Sequence, residues 1–102
     1  MRKELNIGLN SPDLERVVRI IQKSPSIQDA ILFGSRAKGT FSPGSDIDIA
    51  LKGKDLVLND VLDLKIALEE LNLPYKFDLV IYDRITEEAL KEHITRVGIS
   101  LL

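Results

Sequence analysis

Apolar residues recur along this chain with two periods, and the switches between them mark out the elements. Leu14, Val17, Val18 and Ile21 stand at i, i+3, i+4 and i+7, the spacing of one buried helix face. Ser11-Pro12 predicts the start of that helix, with Ser as N-cap and Pro as the first helical residue. Asp13 and Glu15 suit its first turn, and Ser24-Pro25 ends it. Residues 29–34, DAILFG, predict a strand, and 35–45, SRAKGTFSPGS, a loop with at most one helical turn at its start. Residues 46–51, DIDIAL, alternate polar and apolar, the mark of a strand with one buried face. A second helix is predicted from Asn59, as N-cap, to Leu71, with Leu64, Leu68 and Leu71 as its stripe and Pro74 beyond it. Residues 76–82, KFDLVIY, predict a third strand. Thr86 is expected to cap a third helix whose inner face is Leu90, Ile94 and Val97 and whose C-cap is Gly98. The closing ISLL adds a short strand or packs as coil. Residues 1–10 show no period.

Helix, strand, loop, strand, helix, strand, helix is an α/β (α+β) order. It predicts a small sheet with helices packed mainly on one face, which leaves the other face for a site. The 102 residues are read as one domain, 1–102.

Two carboxylates interrupt the strand at 46–51. Side chains at i and i+2 share a face, so Asp46 and Asp48 point one way while Ile47, Ile49 and Leu51 point to the core. Like charges so placed repel, and a divalent cation is the natural remedy. Oxygen ligands suit Mg²⁺, with Mn²⁺ as the alternative. Asp78 interrupts the strand at 76–82 in the same manner, opposite in face to Phe77, Leu79 and Ile81. If the two strands are neighbours, three carboxylates meet on one face. That set suits two divalent ions and in-line displacement at phosphorus. Any one of these aspartates alone reads as a solvated strand residue, and the weight lies in the combination.

The stretch GSRAKGT, 34–40, follows a strand directly. Gly-rich turns present backbone N–H groups to anions. Ser35 adds a hydroxyl, and Arg36 and Lys38 add positive charge, of which one is expected to point inward. The stretch is not a P-loop, because Thr40 stands where that motif requires Lys. Nor do Asp46 and Asp48 begin a calcium loop, since Ala50 and Leu51 occupy the next ligand and the required Gly.

Composition narrows the classes. Hydrophobic residues are 44% and charged residues 29%, a globular balance. There is no cysteine, which rules out disulfides and thiolate metal sites and fits a cytoplasmic setting. No apolar run approaches a membrane span. With 14 basic and 16 acidic residues the net charge is −2, which argues against strong autonomous nucleic-acid binding.

Gly34-Ser35, ten residues, then Asp46-Ile47-Asp48, with Asp78 on a following strand, resembles the signature of the DNA polymerase β-like nucleotidyltransferase superfamily. The wording GSRAKGT…SDIDIAL is similar to that of the minimal nucleotidyltransferases (MNT), many of them antitoxins paired with HEPN-domain toxins. The resemblance spans the first helix to the third. It implies a mixed sheet backed by helices, two Mg²⁺ ions, ATP as substrate, and transfer of AMP to a hydroxyl, a Tyr of the toxin. Carried onto this chain, it makes Gly34, Ser35 and Arg36 nucleotide-binding, Asp46 and Asp48 metal ligands, and Asp78 the ligand of a second ion that also helps deprotonate the acceptor. Lys38 stands where the family more often has Arg, and ISLL lacks the aromatic residue expected near the terminus.

The remaining candidates read more plainly. His93, the sole histidine, is placed at a helix boundary. Tyr75 and Tyr82 read as packing residues, and Arg84, Lys91 and Arg96 as solvated. The resemblance implies a hetero-oligomer with the toxin. The rival reading is a non-catalytic module that neutralises a toxin by covering it. Three clustered carboxylates favour the enzyme.

Overall fold

The computed structural model describes residues 7–42 and 44–102, and residues 1–6 of the period-free N-terminal stretch lie outside the described residues. Helix α1 spans Ser11–Gln22. Strand β1, Asp29–Phe33, leads into a single short turn of helix, α2, Ser35–Lys38. Strand β2 follows at Ile47–Lys52, helix α3 at Leu58–Glu69 and strand β3 at Phe77–Ile81. A 3₁₀ turn at Tyr82–Arg84 leads to helix α4, Glu88–Val97, and to strand β4, Ile99–Ser100. The tail therefore forms the short strand that was one of its two expected states.

The strands lie in the order β3-β2-β1-β4. β2 pairs antiparallel with β1 and parallel with β3, and β4 pairs antiparallel with β1. The sheet is mixed, as expected. The parallel pair needs a crossover, and α3 supplies it.

Alternation along the strands builds two apolar layers. On one face Leu32, Ile47, Ile49, Leu51 and Phe77 are buried against Val17 and Ile21 of α1 and Val61, Leu64 and Leu68 of α3. On the other face Phe33, Ala50 and Ile94 form a smaller cluster, joined by Ile31, Val80, Leu90 and Val97. So α1 and α3 share one face, and α4 packs on the other. The carboxylate face is thus not wholly open. α4 covers the rows of Ile31, Ala50 and Val80, and the end of the face bearing Asp48 and Asp78 lies beyond them.

Three caps differ from expectation by one or two residues. Asn10, not Ser11, caps α1: its side-chain oxygen accepts from the Asp13 N–H at 2.9 Å. Val57, not Asn59, precedes α3, because the Asp60 carboxylate reaches back to the Val57 N–H at 3.0 Å. Glu87, not Thr86, stands at the start of α4, with no side-chain cap bond. Among the described residues no helix is long and apolar enough to cross a membrane.

Candidate active site

The site begins with strand register. Phe33 lies opposite Asp48 on β2, and Asp48 lies opposite Asp78 on β3. Directly opposed residues share a face, so one row across the sheet reads Phe33, Asp48, Asp78. The next row on that face is Ile31, Ala50, Val80. The site is therefore the edge where an apolar layer gives way to two adjacent carboxylates. Asp78 is exposed and Asp48 is half-buried.

The chain leaves β1 through Gly34, whose φ of +79° and ψ of −158° suit glycine alone. A Cβ built there would collide with the Asp48 carboxylate. The backbone at Gly34 thus lies directly on Asp48, and this close approach needs glycine. Ser35 follows as the first residue of α2, so the Gly-Ser pair begins at the point where the backbone meets Asp48 of the Asp-x-Asp pair.

Asp48 carries the electrostatic burden. Its carboxyl is pushed up from an ordinary 3.8 to about 6. Loss of water is the main cause, followed by the charge of Asp78, the charge of Asp46 and a hydrogen bond with the Asp78 side chain. Asp46 sits one residue before β2, exposed, at the rim. With Asp78, Tyr75, Lys76, Phe77, Lys65 and Glu69 it lines a cavity of about 330 Å³ beside the pair. The three carboxylates thus form a close pair with a third on the rim. Among the described residues, no three His, Cys, Asp or Glu side chains are gathered tightly enough to hold one ion as a ready-made cage. What fits a cation is the pair itself, since a positive charge at Asp48 and Asp78 would offset the repulsion that raises Asp48.

Arg36 is placed elsewhere than a phosphate contact would require. Its side chain points inward and is 1% exposed. Nη1 donates to the Ile7 carbonyl at 2.7 Å, and Nε and Nη2 donate to the Ser45 carbonyl at 3.2 and 2.9 Å. Its guanidinium carbon lies 5.1 Å from the ring centres of both Phe41 and Tyr75. Gly8 makes room for it, since a Cβ there would strike Arg36 and Phe41. Arg36 therefore braces the loop, and Lys38 is the exposed cation of the pair.

His93 stands apart from its expected place. It lies inside α4, not at its boundary, and Nε2 accepts from the Gly34 N–H at 3.1 Å. That bond requires the neutral imidazole with its proton on Nδ1. Its ring meets Phe33 edge-on at 6.1 Å. The N–H of Gly34, expected to face an anion, is held by this imidazole instead. A signal was available: His93 stands three residues after Leu90 and four before Val97, within the buried stripe of α4.

Comparison with known proteins identifies the family and the fold. The family model described as polymerase beta, nucleotidyltransferase, matches residues 15–102. No curated protein matches significantly. Among solved structures, a toxin–antitoxin complex with AMP-PNP contains a chain with 26% identity and a TM-score of 0.72, covering 87% of this chain and 72% of that one. A structure described as a minimal nucleotidyltransferase has 25% identity and a TM-score of 0.70, covering 96% and 98%. A complex of a tri-AMPylated HEPN toxin from Shewanella oneidensis with an MNT antitoxin shares the fold at 22% identity, with a TM-score of 0.68 and 92% and 72% coverage.

Proposed function

The chain belongs to the polymerase beta nucleotidyltransferase family, and we propose that it transfers AMP from ATP to a hydroxyl of a HEPN-domain toxin, a tyrosine, and so acts as an antitoxin. The observation that carries this reading is the pairing of Asp48 with Asp78 directly beneath the Gly34-Ser35 turn. A module that merely covers its partner gains nothing from a half-buried carboxylate crowded by two others. The similarity to chains of complexes described with AMP-PNP, and with a tri-AMPylated toxin, supports the choice of nucleotide and acceptor. The absence of cysteine fits a reducing cytoplasm as the setting.

Asp48 and Asp78, with Asp46 at the rim, are the residues that would hold divalent magnesium. When bound, the metal supplies charge that offsets the triphosphate and the developing negative charge in the transition state. The chain's own groups do the rest. Ser35 donates its hydroxyl to a phosphate oxygen at the mouth of the turn. His93 and Phe33 hold the Gly34 backbone where it limits access of water to Asp48. Asp78, the exposed member of the pair, accepts the proton of the attacking hydroxyl at a carboxylate oxygen. The acceptor oxygen bonds to the α-phosphorus, the bond to pyrophosphate breaks, and pyrophosphate carries off the electron pair.

The intact mass of the purified toxin, incubated with this chain, ATP and Mg²⁺, tests the proposal. Addition of AMP units by the wild-type chain and none by Asp78→Asn is the expected result. Asn keeps the shape and leaves the core side of β3 untouched, so folding and toxin binding persist. Neutralisation by Asp78→Asn with an unmodified toxin would replace the enzyme with the covering module.

A further inference from the structure

Among the described residues, the large apolar side chains left in water are Val57, Leu58, Leu62 and Ile66, at 48–57% exposure. They do not scatter. Leu58, Leu62 and Ile66 are four apart on α3 and form one stripe, with Val57 at its start. Val61, Leu64 and Leu68 already serve as the buried face of that helix. α3 is therefore apolar on two sides, and the second side is left in water among the described residues. Single exposed leucines mean little, whereas a contiguous patch marks a contact surface.

Two neighbours say what kind of contact. The first is the active-site cavity. Lys65 and Glu69, adjacent to the stripe at three- and seven-residue spacings from Leu62, are walls of the cavity that holds Asp46 and Asp78. The stripe thus runs alongside the cavity that Asp46 and Asp78 also line, so an occupant of the stripe borders that cavity. The second is charge. Asp63 and Glu70, seven residues apart and both exposed, form the far flank of the stripe. A second copy laid antiparallel on this face would set those acids against themselves, in a chain whose net charge is already −2. A basic flank on the occupant is complementary instead.

We propose that this face of α3 seats the acceptor protein, through an amphipathic helix with an apolar stripe and Lys or Arg along the edge that meets Asp63 and Glu70. A patch of four side chains is smaller than the ~800 Å² per partner of a standard interface. It is the apolar centre of the contact, and the cavity mouth is part of its rim. This inference rests on the transfer reading above, because it assigns that reaction's partner a seat.

The test uses the full chain and the purified HEPN toxin of the proposed pair. Leu62→Lys with Ile66→Lys keeps helix-forming residues at exposed positions, so the melting temperature should hold. Toxin affinity should fall about 10²-fold, the scale of losing a central apolar contact, while ATP binding in Mg²⁺ stays at the wild-type value. Asp63→Lys with Glu70→Lys should cost less, about tenfold, and flatten the salt dependence of association. Wild-type toxin affinity in the Leu62/Ile66 variant would overturn the proposal, as would failure of the wild-type chain to bind the toxin. So would a wild-type dimer in sedimentation that the variant abolishes, since the occupant would then be a second copy. Lost binding in the variant, with a wild-type chain that binds yet never modifies the toxin, would keep the seat and remove the transfer reaction.

Discussion

Arg36 and Asp48 stand at the two sides of one loop, and each gives up water on folding. Around Arg36 the fold supplies everything a buried guanidinium requires. Three donors meet two backbone carbonyls, and two aromatic rings lie within 5.1 Å of the guanidinium carbon. Around Asp48 it supplies the reverse, namely a second carboxylate opposite, a third at the rim, and a glycine backbone that excludes water. A charge matched by its surroundings contributes to architecture. A charge placed against its own kind stores a demand that a cation answers. The contrast separates the two residues by role although both were candidates for the same site.

The comparison breaks most visibly in rate. Asp48→Asn should lower AMP transfer at least about 10²-fold, the scale of losing one group that stabilises charge in the transition state. The same variant should unfold in urea no earlier than the wild-type chain. A stable protein with undiminished transfer would remove Asp48 from the site.

Arg36 should show the opposite balance. Arg36→Met leaves the Ile7 and Ser45 carbonyls without their donors and should cost about 2–4 kcal/mol of stability in urea unfolding. Arg36→Lys should recover only part of this, because an ammonium cannot reproduce the planar fork. An Arg36→Met protein as stable as wild type would show that the brace carries no weight.

The smallest effect concerns pH. The folded chain holds the Asp48 proton more tightly than the unfolded chain, since its carboxyl is raised to about 6 from 3.8. In EDTA, stability from this group is full below pH 4, is lost as pH rises through 6, and stays low above. Asp48→Asn should remove that slope, gaining on wild type at pH 7.5 and not at pH 4. Solvent screening of this half-exposed group limits the difference to ~1 kcal/mol. Unfolding midpoints at the two pH values measure it, and an equal difference at both would contradict the crowding of Asp48.

Alternation made one half of the site legible. DIDIAL and KFDLVIY each declare which side chains face the core, so Asp48 and Asp78 share a face wherever the two strands are neighbours, as they are here. The direction of Arg36 could not be read, because α2 is a single turn and a side chain there has no period to betray its direction. The bond from His93 joins residues 59 apart, which local pattern does not reach. The stripe of α4 told which side of the helix is inward but not which face of the sheet it would meet. The starts of α3 and α4 slipped because capping depends on where a side chain reaches. Asp60 reaching back to Val57 outweighs the propensity of Asn59.

The brace at Arg36 also bears on the thermodynamics of ligand capture. Arg36 lies two residues past Gly34, and Ser45, which it grips, immediately precedes Asp46. The Gly34-Ser35 turn and the start of the carboxylate strand are thereby clamped to each other across the loop and to Ile7 by the fold itself. The entropy of ordering these segments is lost during folding, so it is not lost again on association. On the proposed function, nucleotide would meet a preorganised cleft, and its binding free energy would go into contacts instead of into assembling the walls.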